Sequence, residues 1–402
     1  MQTILSKLNY LYIFFAIVWV PFQKGVLIVD GAARSLLFFT VLIFLINLND
    51  RMSRRLILDK PILIWGILII FSLVNLYLKG YKGGYSLLEF SILQLILPFN
   101  ILFLTTREII VNKLKTVSFL FKVFLMHLIF SIISYGNLLL DPNLRNSDSF
   151  VNILALNVIF LLFFSILGNL HKLFKVKILY LIFPITFIII FYTQTRKALA
   201  AALIFVLFAF LSKFKLTVPK FFSLIVSLMM FYMAGIFLLE NSIIGKRIQE
   251  IKAVGESANS SDIEVLSFLG DRAYFYIEGW RLFNTSPITG IGLTNFIHKA
   301  EHSIIIHSEY MVQLVENGII GFVIFLIFII ILGKGLIRNV RKNKKETKYF
   351  VFLLGGFLGI MFICFTAWIY SFPQYFAFFG VAIGYIKLAD FDNRQKNKNN
   401  II

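Results

Sequence analysis

The chain of 402 residues has one cysteine, Cys364, and that residue lies inside an apolar run. A lone cysteine builds neither a disulfide framework nor a cysteine metal site, so its ordinary role is packing. Charge is scarce, at 15% of residues, and acids are scarcer than bases, with 20 Asp and Glu against 39 Lys and Arg. Hydrophobic residues make up 59% and the mean hydropathy is +0.86. A soluble domain of this length could not hide so much apolar surface, so a water-soluble globule is excluded. The formal charge of +19 does not point to nucleic acid, because the positive residues flank apolar runs and do not form a basic groove. The partner implied is a lipid membrane. No short fixed-period repeat is visible, nor the paired broken helices of many transporters.

What the chain does have is apolar runs separated by short basic connectors. A bilayer core of about 30 Å is spanned by roughly 20 apolar residues. Twelve spans are expected, at about 8–23, 34–49, 61–79, 85–105, 116–140, 150–170, 176–193, 196–212, 219–239, 310–333, 349–370 and 371–387. The first run has no small-residue cleavage site behind it and reads as a retained helix. Counted over alternate connectors, one set holds 25 Lys and Arg and the short connectors of the other hold 7. Basic residues stay in the cytoplasm, so both termini are expected there. The expectation is a single polytopic all-α membrane domain over 1–402, with a disordered cytoplasmic tail at 390–402.

The apolar pattern stops once for long, between Glu240 and Tyr310. By the same count this loop, 240–309, faces outward and carries part of the active site. Three stretches in or beside it bear chemistry. Arg196 lies in FYTQTRKALAAALIF, where one apolar run gives way to the next. A cation at a span edge can simply snorkel to the interface. Against that, basic residues are rare on this side, and Ala198, Ala200, Ala201 and Ala202 permit close helix packing. A guanidinium there suits a diphosphate, whose oxygens accept two parallel hydrogen bonds.

The second stretch is GDRAYFYIEGWRLFNTSPITGIGLTNF, residues 270–296. Its length favours a helix that sets Arg272 among aromatic residues, ended by Asn284, Ser286 and Pro287. Arg272 has two readings, a ligand for an anionic substrate or a salt-bridge partner of Asp271 or Glu278. Arg281 is a weaker candidate on the same helix. Gly290-Ile291-Gly292 reads as a tight turn rather than a phosphate cradle. The third stretch is HSEYMVQLVENGIIGFVIFL from His307, which opens a helix running into the next span, with Gln313 and Glu316 interrupting its apolar stripe. A helix N-terminus favours a neutral imidazole able to accept a proton, as a general base requires. His298, His302 and His307 lack the spacing of a zinc site, and Glu278 with Glu316 lacks that of a glycosidase pair. No metal and no cofactor are expected.

In this order, TRKALAA, DRAYFYIEGWRLFNTSPITGIGLTNF and HSEYMVQLVENGIIG resemble the O-antigen ligase and O-antigen polymerase superfamily of bacterial envelope glycosyltransferases. The last fits a pattern of His, then Asn, Ser or Gln, nine residues, Gly, two residues, and Gly, Thr or Tyr, through His307, Ser308, Gly318 and Gly321. Thr195 stands where serine is common before the first arginine. The resemblance implies a GT-C-like fold in the bacterial inner membrane. It implies a metal-independent, inverting glycosyltransferase whose donor is an oligosaccharide on undecaprenyl diphosphate, used at the periplasmic face. By residue it implies Arg196 and Arg272 as diphosphate ligands and His307 as base. His302 matches a second family histidine loosely, and Glu316 lies within the histidine motif. A chain-length regulator is a further partner the resemblance admits. The polymerase reading is preferred to the ligase reading, and a flippase or transporter stands behind both.

Overall fold

A computed structural model describes residues 2–19, 30–80, 91–140, 149–193, 195–213, 271–300, 308–343, 346–365, 367 and 372–399. Among these residues all regular structure is helical and no strand occurs. In chain order the helices are α1 (Gln2–Trp19), α2 (Asp30–Leu48), α3 (Arg51–Ile57) and α4 (Lys60–Lys79). A π-helical turn, Ile92–Ile96, leads into α5 (Leu97–Leu140), followed by α6 (Ser149–Leu170), α7 (Val176–Thr193) and α8 (Arg196–Lys213). Then come α9 (Asp271–Thr285), α10 (Phe296–Lys299), α11 (Glu309–Glu316), α12 (Gly318–Lys342), α13 (Thr347–Cys364) and α14 (Pro373–Asn399).

The chain is an all-α membrane protein. Among the described residues, four helical stretches can cross a membrane by length and composition: Lys60–Lys79, Gln94–Ile133, Gly318–Lys342 and Thr347–Cys364. A fifth is the pair Leu36–Leu48 and Arg51–Ile57, bent by 106°. Shorter apolar helices cover Gln2–Val18, Leu154–Leu170, Val176–Ile190 and Lys197–Ser212. The run expected at 219–239 lies outside the described residues.

Three differences from the sequence reading have local causes. The span expected at 310–333 is divided: α11 ends at Glu316 and the long helix begins at Gly318, whose φ of 65° breaks the ladder between them. The runs at 85–105 and 116–140 share one helix, α5, interrupted at Asn112 (φ −155°, ψ 86°). There the Asn112 side chain accepts the Lys115 N–H at 3.0 Å and starts the second half as an N-cap does. At the C-terminus α14 continues to Asn399, through the stretch expected to be disordered. Arg338 grips Asp390 with two hydrogen bonds, 2.7 and 2.9 Å, where that extension begins.

The core is aromatic. In lipid there is little hydrophobic gain from pairing helices, so close packing must hold them together. Phe163 of α6 stacks on Phe352 of α13 at 4.8 Å and meets Phe378 of α14 at 5.1 Å and Phe205 of α8 at 5.4 Å. Trp65 of α4 meets Phe328 of α12 at 4.8 Å and Phe376 of α14 at 5.2 Å. Glycines of α13 receive rings from α8: Phe208 seats on Gly355 and Phe205 on Gly359. Those two contacts run in opposite chain directions. Helices α8 and α13 are therefore antiparallel, and the start of α8 lies at the end of the bundle where α13 finishes.

Arg107 is one exception to this apolar interior. Counted among connector cations in the sequence, it is fully buried within α5. It pairs with Glu108 and with Asp50 at 3.2 Å, and its Nε also donates to Ser53 at 3.1 Å. Asn9 of α1 donates to Glu108 at 2.8 Å, which joins α1, α3 and α5 through one polar knot.

Candidate active site

The polar loop docks back on the bundle through a double cap. Helix α11 ends and α12 begins within two residues, so one leaves carbonyls and the other N–H groups without ladder partners. The turn after α9 supplies both. Ile291 and Gly292 donate their N–H groups to Val315 O (3.0 Å) and Glu316 O (2.9 Å). In return Ile319 and Ile320 donate to Pro287 O (2.9 Å) and Ile288 O (3.3 Å). Gly290 (φ 75°) and Gly318 (φ 65°) meet backbone to backbone at the centre of this strap. The Gly290-Ile291-Gly292 turn is thus a structural clasp. Asn75 of α4 completes it, donating to Thr289 O at 2.6 Å and Glu316 O at 3.0 Å.

Glu316 also holds the stretch from Thr294 to Phe296. Its carboxylate accepts the N–H of Thr294 at 2.8 Å and of Phe296 at 3.3 Å. Burial pushes this carboxyl up to about 8, against those two donors, with the nearby Glu309 adding to the rise. Arg281 forks onto Glu278 with bonds of 2.7 and 2.5 Å, an ion pair within α9.

Helix α9 crosses α11 where Gly279 faces Met311 and Val315. Helix α11 carries a buried polar ladder that the sequence reading missed. Gln313 Nε2 donates to Glu309 Oε1 at 2.7 Å, and Asn317 Nδ2 donates to Gln313 Oε1 at 3.0 Å. All three residues are fully buried. The signal was available as Glu, Gln and Asn spaced by four, one stripe of a helix.

Several elements converge on the last turn of α13. Ser308 donates to Cys364 O at 3.5 Å, and the Glu309 N–H donates to Ala367 O at 3.1 Å. Tyr310 hydroxyl reaches Met361 O and Tyr276 hydroxyl reaches Phe365 O, each at 3.4 Å. Arg272 occupies the turn of α9 just before Tyr276. Arg196 is the first residue of α8, the helix that begins at this same end of α13. His302 and His307 lie outside the described residues. Ser308, the next residue after His307 in the chain, is buried and anchored at Cys364. Tyr276 of α9 and Ser308 before α11 thus both bond to the end of α13, the end at which α8 begins. Arg281 and Glu316 face other duties, in an ion pair and a loop lock.

Residues 181–326 match the family model described as O-antigen ligase. That stretch is similar to the O-antigen ligase family. This match runs from α7 through α8, α9 and α11 into α12, and so contains every element that converges at Cys364 except α13 itself. This match supports the resemblance to the ligase and polymerase superfamily read from His307, Ser308, Gly318 and Gly321. Members of that family are glycosyltransferase-like enzymes. The two motif glycines gain a structural meaning here. Gly318 forms the clasp, and Gly321 packs against the side chain of Asn317. Among curated proteins, none matches this chain.

Proposed function

We propose that the protein is an O-antigen or capsular polysaccharide polymerase of the bacterial inner membrane. Both termini lie in the cytoplasm and the site faces the periplasm. It moves a glycan from undecaprenyl diphosphate onto a second lipid-linked repeat unit. The observation that supports this reading is the meeting of the α8 start, the first turns of α9 and the α11 start at one end of α13. Those elements bear Arg196, Arg272 and the residue that follows His307.

The chemistry follows from those side chains. His307 takes the proton of an acceptor hydroxyl as its oxygen attacks the anomeric carbon. A new glycosidic C–O bond forms while the bond to the diphosphate breaks, and the electron pair leaves on the diphosphate. Arg196 and Arg272 offset that charge as it develops, where fixed cations act most strongly. Attack from the face opposite the leaving group inverts the linkage.

A second reading takes the lipid A core as acceptor, which would make the protein a ligase, and the family match fits either. Glycolipids from a deletion strain separate the two. Core capped with a single repeat indicates a polymerase; long lipid-linked chains with bare core indicate a ligase. Purified protein mixed with lipid-linked oligosaccharide, with no gradient applied, tests the reaction itself. Extended product supports transfer, and an absence of new linkages together with movement of the lipid across vesicles indicates a flippase.

A further inference from the structure

Most buried polar side chains in this fold are paired, so one that is not calls for a reason. Gln374 is 2% exposed, and both its Nε2 and its Oε1 are without a hydrogen-bond partner. The hydroxyl of Tyr375, the next residue, is buried and equally unpaired. Both stand in the first turn of α14, the same end of the bundle as the last turn of α13.

Helix periodicity gives the direction. Phe378, four residues on from Gln374, packs against Phe163 of α6 and over Gly356 of α13. Residues four apart share a helix face. Gln374 therefore faces the space between α6 and α13 one turn nearer the Cys364 end. An amide held there with nothing to bond costs stability, which a ligand's polar atoms would return.

The chemistry of the orphaned atoms selects the ligand. A diphosphate only accepts hydrogen bonds, so it would satisfy Nε2 and leave Oε1 bare. A sugar's neighbouring hydroxyls both donate and accept, so they satisfy the whole amide. We infer that Gln374 is a glycan-binding residue, holding adjacent hydroxyls of the sugar carried by the lipid-linked substrate. The Tyr375 hydroxyl supplies a further donor and acceptor to the same ligand. This assignment rests on the glycan-transfer reading and names a contact that reading leaves open.

The test uses the full-length protein in detergent, the strain's own lipid-linked oligosaccharide, and sugar-free undecaprenyl diphosphate. Gln374→Leu keeps the shape and removes both orphaned atoms, so its melting temperature is expected to hold or rise. Its KM for the oligosaccharide should increase about tenfold, the loss of one or two neutral hydrogen bonds, while affinity for the sugar-free carrier is unchanged. Gln374→Glu, which replaces the donor with an acceptor, should weaken oligosaccharide affinity as well and serves if the leucine variant does not fold. An unchanged KM and affinity in the variants overturns the inference, with or without a fall in melting temperature. Equal weakening toward the sugar-free carrier also overturns it, since the ligand would then be the diphosphate. Should wild-type protein bind the oligosaccharide without transferring it, the transfer reading fails while the affinity comparison still decides the role of Gln374.

Discussion

Gly290→Ala should do disproportionate damage for so small a change. Gly290 has φ 75°, and a Cβ there would press into the carbonyl group of Glu316 and the backbone nitrogen of Gly318. Left-handed backbone costs a residue with a Cβ about 1–2 kcal/mol. Forcing an extra carbon into a packed site costs about 1–3 kcal/mol more, here against backbone that cannot rotate aside. Moving the strands of the clasp apart also weakens the paired bonds of Ile291 and Gly292, roughly 1 kcal/mol each. The sum is about 4–7 kcal/mol, a large part of the ~5–15 kcal/mol that holds a typical domain together. The assay is thermal unfolding in detergent together with glycan transfer, and both should fall. Gly290→Asn separates the causes, because asparagine tolerates positive φ but still carries a Cβ. It should be nearly as damaging as alanine. Full stability and activity in Gly290→Ala, or rescue by asparagine, would refute the steric account of the clasp.

Other consequences follow from buried polar groups. Arg107→Ala leaves Glu108 buried without its partner, and breaking such a pair costs about 3–5 kcal/mol; detergent melting should show it, with Glu108→Ala on top restoring part of the loss. Asn75→Ala removes two hydrogen bonds to the clasp and should lower stability by about 1–3 kcal/mol, with a comparable fall in transfer rate if the clasp sets the α11 geometry. Glu316 titrates near 8 in the folded protein against an ordinary 4.5, so the folded state holds this proton more tightly. Its contribution to stability therefore falls as pH rises from about 4.5 through about 8. The difference in melting temperature between wild type and Glu316→Gln should shift against wild type over that window, and parallel pH curves would exclude it.

The membrane class was written in composition, and the positions of most described helices in apolar runs. Where boundaries moved, the cause was a single residue whose conformation periodicity does not encode. Gly318 belongs to an apolar run and yet breaks it, because its backbone takes φ 65° opposite Gly290, 28 residues earlier in the chain. Asn112 divides α5 by capping with its side chain, a choice open to any asparagine in a helix. Arg107 looked like one connector cation among many; that it turns inward depends on Asp50, Ser53 and Asn9 arriving from other helices. The candidate arginines and the motif histidine were named from residue types and motif spacing, and their roles belong to the proposed reaction. Glu309, Gln313 and Asn317 were spaced to be found, while Gln374 was not, since an unpaired amide can be recognised only once its surroundings are known.

The central claim is that Arg196, Arg272 and His307 surround one lipid-linked substrate. Paired cysteines at 196 and 307, and at 272 and 307, in a Cys364→Ser background test it by spin-label distance measurement in liposomes. Helices packed side by side lie about 8–10 Å apart, so both pairs should give short distances and short cross-linkers should join them. Either pair held several helix diameters apart would contradict the account.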